Sequence, residues 1–181
     1  MPLTQAQAAI WYAQKKTGDS RPYQIGGSVR LAGEIDFPRL RAAIERLVRE
    51  NEGLRVQFYE RDGQVQSYLA DPGRVAVGWK DFSCSDDPQR EMERWARAHL
   101  GAPFSMLDSP LYAFTLFRIA PKETGYFIKL HHLIADGWSV ELITRRIQQA
   151  YESGPEEGLP APTVLSWQSY LTAEQSMLHS S

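Results

Sequence analysis

A histidine pair followed at fixed distance by a carboxylate and a glycine is the feature of this chain best suited to chemistry: His131-His132-Leu133-Ile134-Ala135-Asp136-Gly137-Trp138-Ser139. A neutral imidazole accepts a proton from an attacking amine or hydroxyl, or holds that nucleophile in line by a hydrogen bond. His132 is the candidate base or positioner. Asp136 suits either of two uses, orienting the imidazole or pairing with an arginine to brace the turn. Gly137 suits a tight turn, and its N–H can come closer to a developing oxyanion than that of a residue with a Cβ. Ser139 is expected as the N-cap of a following helix, with Glu141 in the first turn.

The element before the pair decides which histidine is presented. Residues 126–131 read as a short apolar strand, and alternation sends His131 and His132 to opposite faces. His132 shares parity with Tyr126, Ile128 and Leu130; His131 shares it with Phe127 and Lys129. The plainer readings are a hydrogen-bonded core histidine and an Asp-Gly that only turns the chain. Two histidines and a carboxylate also suit iron or zinc. Side chains on opposite faces share an ion poorly, and neither His99 nor His179 stands in a compact ligand motif.

The stretch as a whole resembles the His-His-x-x-x-Asp-Gly signature of nonribosomal peptide synthetase condensation domains and of the chloramphenicol acetyltransferase-type acyltransferases. Trp138 and Ser139 extend the match toward condensation domains. The segment Leu3-Thr4-Gln5-Ala6-Gln7-Ala8-Ala9-Ile10-Trp11 is similar to the family's opening Ser-x-Ala-Gln-x-Arg-Leu-Trp. Asn51-Glu52-Gly53-Leu54-Arg55-Val56-Gln57-Phe58 resembles its His-Glu-x-Leu-Arg-Thr-x-Phe, and Ser166-Trp167-Gln168-Ser169-Tyr170 resembles an aromatic-rich helix start. Ala9, Asn51 and Val56 depart from the pattern. With Glu174-Gln175, these departures are similar to starter domains that attach a fatty or aryl acyl group, or to siderophore-type domains. The aspartate-for-histidine replacement of heterocyclising relatives is absent.

The resemblance implies an α/β chloramphenicol acetyltransferase-like lobe, a mixed β-sheet packed with helices, forming the first half of a two-lobed domain. Residues 1–181 are then an amino-terminal subdomain, with 153–163 a surface linker and 164–181 the start of the helix leading to a second lobe. The reaction implied is amide formation between a carrier-bound acyl or peptidyl thioester and a carrier-bound aminoacyl acceptor. Its substrates ride on phosphopantetheine arms of an upstream donor and a downstream acceptor carrier protein, with no cofactor or metal bound directly. His132 and Gly137 take catalytic roles. His131, Asp136 and Arg55 support the site, Asp136 paired with Arg55. The chain alone is expected to be inactive. Three rivals stay open: a free-standing acyl-coenzyme A-dependent acyltransferase, an epimerising relative, and a non-catalytic carrier-docking module.

Composition agrees with one folding unit. A chain of 181 residues buries roughly 70% of its unfolded surface, enough for one core. Twenty basic and 22 acidic residues give a net charge of −2, no footprint for nucleic acid or an anionic membrane. The single Cys84 cannot form an internal disulfide, and no basic, apolar leader or long apolar run occurs. A soluble cytoplasmic protein is expected.

Periodicity supplies the scaffold. Thr4 caps a first helix to about Lys16, on which Ile10, Trp11 and Gln14 pass along adjacent faces. A strand follows at 25–31. Asp36 and Pro38 open the clearest helix, with Leu40, Ala43, Ile44, Leu47 and Val48 on one face. Strands at 54–59 and 64–69 flank Asp62-Gly63, a hairpin signal that puts Arg55 at a strand start. A strand at 75–79, a helix opening at Asp87-Pro88, strands at 111–119 and 126–131, and helices at 139–151 and from Val164 complete the expectation.

Overall fold

A computed structural model describes residues 1–153 and 166–178. Thr4 opens helix α1 (Gln5–Thr17) with a reciprocal capping box: its hydroxyl accepts the Gln7 N–H, and the Gln7 side chain accepts the Thr4 N–H. Gly18, at φ 68°, closes the helix in the left-handed region. A 3-10 turn at Arg21–Tyr23 leads into β1 (Gln24–Ala32). Asp36 caps α2 (Phe37–Glu50), whose buried Leu40, Ala43, Ile44, Leu47 and Val48 follow the expected stripe. A single turn, α3 (Glu52–Arg55), precedes the hairpin of β2 (Val56–Arg61) and β3 (Gln64–Leu69). Both turn residues, Asp62 and Gly63, have positive φ, as a two-residue hairpin requires.

Next come β4 (Val77–Asp81), α4 (Pro88–Gly101), β5 (Tyr112–Ala120), β6 (Glu123–His131), α5 (Gly137–Ser153) and α6 (Trp167–Leu178). The larger sheet has the order β1-β6-β5-β4, antiparallel except for the parallel β4–β5 pair, so it is mixed as expected. Helix α4 supplies the crossover that a parallel pair needs. The hairpin β2–β3 stands apart as a second, two-stranded sheet.

Helices cover both faces of the larger sheet. On one, Tyr126, Ile128 and Leu130 join α2 and α5 residues such as Ile44, Leu47, Ile143 and Ile147. On the other, Phe127 packs with Phe82, Met92, Phe117 and, in part, Trp95. A third cluster, Trp11, Val56, Phe58, Leu111 and Leu133, ties α1 and the hairpin to the loop after β6. The alternation anticipated for β6 is therefore the one observed.

The strand expected at 75–79 runs instead from Val77 to Asp81 and the one at 126–131 begins at Glu123, and two further boundaries differ closer to the site. Arg55 ends α3 instead of starting a strand, because residues 52–55 close one helical turn before the chain extends. Helix α5 begins two residues before Ser139. Of the linker expected at 153–163, Ser153 ends α5 and the remainder lies outside the described residues, as do Val164 and His179. The side chains of Glu174 and Gln175 likewise lie outside what is described.

Candidate functional site

Strand β6 is flanked by β1 and β5 and ends at His131, so the loop carrying His132 leaves from an interior strand of the sheet. His131 is fully buried. Its Nδ1 accepts the N–H of Leu133 at 3.1 Å, and its Nε2 lies 2.9 Å from Oε1 of Gln14 on α1. A nitrogen that accepts a backbone N–H carries no proton, so the network assigns the proton to Nε2, which donates to Gln14. The rings of Tyr23 and Phe104 lie 6.4 and 6.3 Å away. Burial, with the charges of His132 and Lys129 behind it, pushes the His131 pKa down to about 4. Lys129, two residues back on the same face, donates its Nζ to the Ala102 carbonyl and sits 4.2 Å from the centre of the Phe104 ring.

His132 has turned off the strand. Its N–H donates to the Tyr23 carbonyl at 2.8 Å, while its half-buried imidazole makes no hydrogen bond among the described residues. The ring lines a groove of about 910 Å³. Thr4, Gln7 and Ile10 of the α1 region form one side, Leu47 to Leu54 another, and Leu142, Ile143 and Arg146 of α5 a third. Trp167 and Tyr170 of α6 close it, and Asp136 and Ser139 lie at its rim. A mostly apolar wall with a few polar groups is what a site for a small reacting group presents.

Asp136 caps α5. Its Oδ1 accepts the Ser139 N–H at 2.8 Å and the Ser139 hydroxyl at 2.6 Å, and its own N–H donates to Ser139 Oγ at 3.2 Å. The two residues form a reciprocal box in which Ser139 is the third helical residue, which corrects the expectation of Ser139 as the cap. Those bonds hold the Asp136 carboxyl below the ordinary carboxylate range.

The expected Arg55–Asp136 pair is not formed. Nη1 of Arg55 donates to the Ala70 carbonyl at 2.8 Å, at the base of the hairpin, and its buried Nε has no partner among the described residues. Asp136 gains its bonds from its own helix, so the loop needs no arginine to hold the carboxylate. Gly137 is the exposed first residue of α5. Its φ is not positive, and a Cβ there would meet nothing within 4 Å, so neither a left-handed turn nor crowding requires glycine. Among the described residues no three His, Cys, Asp or Glu side chains gather as a metal site.

Two glutamines, Gln7 within the opening motif and Gln14 on the first helix, are assigned no role by the sequence reading. Gln7 Nε2 donates to the Leu133 carbonyl at 3.0 Å, and Gln14, seven residues on, holds His131. Their spacing puts both on one face of α1. The capping box announces Gln7 as a helix-start residue, but nothing local announces partners more than a hundred residues away. Glu52, quoted within the second motif without a role, accepts the Trp167 N–H at 2.7 Å and anchors the first residue of α6.

Comparison with known proteins agrees with this geometry. The family profile described as Condensation domain matches residues 1–181. The chain is similar to a linear gramicidin synthase of Brevibacillus parabrevis, 30% identical over 162 residues, covering 88% of the chain and 3% of that protein. It is also similar to a dimodular nonribosomal peptide synthase of Bacillus subtilis (strain 168), 29% identical over 180 residues, covering 98% of the chain and 7% of that protein. The starter condensation domain of the rhizomide synthetase RzmA superposes with a TM-score of 0.87 at 25% identity, over 98% of this chain and 45% of that one. A doubly substituted variant of that domain, in complex with C8-CoA and Leu-SNAC, superposes with a TM-score of 0.86 at 25% identity, over 96% of this chain and 40% of that one. The chain thus spans a few per cent of the curated relatives' length and under half of the solved domains. With the profile matched over all 181 residues, the chain belongs to the condensation-domain family.

Proposed function

We propose that the chain is the histidine-bearing first lobe of a nonribosomal peptide synthetase condensation domain that joins a carrier-bound acyl or peptidyl thioester to a carrier-bound aminoacyl amine. The observation that carries this reading is the unequal placement of the two histidines. One is buried with both ring nitrogens engaged, and the other stands on a groove with its ring making no hydrogen bond among the described residues.

In this reading the acceptor amine attacks the thioester carbon, a C–N bond forms, the C–S bond breaks, and the donor carrier's phosphopantetheine thiol leaves. His132 takes or orients the amine proton, which finally neutralises the departing thiolate. A thioester is already activated, so alignment alone supplies much of the acceleration, roughly 7–11 kcal/mol for well-held reactants. Gly137 presents its N–H, at the first turn of α5, to the developing oxyanion. Asp136 shapes that turn as its cap, and Arg55 braces the hairpin. The solved neighbour whose complex contains C8-CoA supports a starter-type assignment with a fatty acyl donor.

The test is His132→Ala in the whole synthetase, with product and carrier-bound intermediates followed by mass spectrometry. Loss of amide with the donor thioester still loaded is expected; undiminished product would falsify the catalytic assignment. The chain by itself, given both loaded carriers, is expected to form no amide, since the comparable solved domains are more than twice its length.

A further inference from the structure

The loop that carries His132 is held almost atom by atom. The N–H of His132 goes to Tyr23, that of Leu133 to the His131 ring, and that of Ile134 to the His131 carbonyl at 3.0 Å. The Leu133 carbonyl receives Gln7. One contact in this set governs another. Nδ1 of His131 accepts the Leu133 N–H only while it carries no proton, and the Gln14 oxygen is what holds the proton on Nε2. Were the ring to carry its proton on Nδ1, Nδ1–H would face Leu133 N–H, donor against donor, and the loop would shift.

We infer that Gln14 is a positioning residue: by fixing the tautomer of buried His131 it locks the backbone of Leu133, and with Gln7 it makes α1 the clamp that aims His132 into the groove. This rests on the proposed function for its kinetic consequence, though the lock itself does not. Helix α1 suits the task because Trp11, between the two glutamines, packs into the cluster that contains Leu133, so clamp and loop share one apolar anchor. The titratable groups facing the ring are Lys129 and His132 from its own segment and Tyr23 from the 3-10 turn. Helix α1 contributes only the neutral Gln14, and the segment before β5 contributes Phe104. No carboxylate among them favours a charged ring.

Two variants test the lock. Gln14→Leu removes the acceptor, whereas Gln14→Glu keeps one and adds charge. In this chain, 15N-edited NMR of the ring is expected to show a single Nε2–H tautomer in the wild type, a mixed population in Gln14→Leu, and Nε2–H with a raised titration midpoint in Gln14→Glu. In the whole synthetase, Gln14→Leu should lower kcat by about ten- to a hundredfold with KM changed less than about twofold, as expected when a reacting group is misaimed rather than substrate binding lost. Gln14→Glu should restore most of kcat at neutral pH. An unchanged tautomer in Gln14→Leu, an unchanged kcat, or no rescue by Gln14→Glu each overturns the inference. His132→Ala in the same assays separates the two claims, since full turnover by that variant removes the proposed function while leaving the ring spectra to decide the lock.

Discussion

His131 makes folding sensitive to acid. Its ordinary pKa is near 6.5 and burial holds it at about 4, so the unfolded chain binds the extra proton first. Stability from this group is complete above about pH 6.5 and drains away as pH falls toward 4. At about 1.4 kcal/mol per pH unit the loss approaches roughly 3 kcal/mol. Urea midpoints of the wild type should fall between pH 7 and pH 4.5, and His131→Gln should flatten that part of the curve. Parallel curves would mean that other groups dominate the acid transition.

At the scale of elements, the α5 start and the hairpin base are separate units despite the motif that suggests their pairing. Asp136→Ala removes a cap and should cost about 1 kcal/mol, while Asp136→Asn, which can still accept the Ser139 N–H, should cost less. A thermal double-mutant cycle on Arg55→Ala and Asp136→Ala should be additive within about 0.5 kcal/mol, since neither side chain touches the other. A coupling well above that would restore the expected pair. Sheet pairing has its own weak point at Gly26, φ +146°, where a Cβ would lie 2.0 Å from the Ile128 carbonyl oxygen. Gly26→Ala should therefore destabilise by at least about 2 kcal/mol, and Gly27→Ala, with open space around it, by under about 1 kcal/mol. Denaturant melts of the two variants measure the contrast.

Which elements could be read from the sequence follows from how far their information extends along the chain. Helix α2 shows its buried stripe within fourteen residues, and Asp62-Gly63 sets its hairpin within two, so both are legible locally. The alternation of β6 holds through His131, while His132 lies in the turn beyond the strand, so its separate placement comes from the loop and not from the alternation. The one-turn α3 is too short for any period to register, and it displaced Arg55 from its expected strand. The Asp136–Ser139 box was misread by three residues because both side chains are good caps. The clamp of Gln14 on His131 joins residues 117 apart and leaves no local trace.

For the molecule as a whole, Leu142 and Tyr170 line the groove at 42% and 47% exposure, and Trp138, one turn before Leu142 on α5, is 71% exposed. Clustered apolar exposure of this kind marks a surface that is covered when its partner is present. The chain by itself should associate as its concentration rises, visible by sedimentation velocity, and Trp138→Ser with Leu142→Gln should suppress this without moving the thermal midpoint by more than about 2 °C.

The place of β6 between two antiparallel neighbours also ranks the parts of the site by how easily they come undone. Its amides should be among the last to exchange with deuterated solvent, whereas α6, fastened at its first residue by the Glu52 carboxylate, should exchange early. The His132 imidazole would then keep its bearings while one wall of the groove swings.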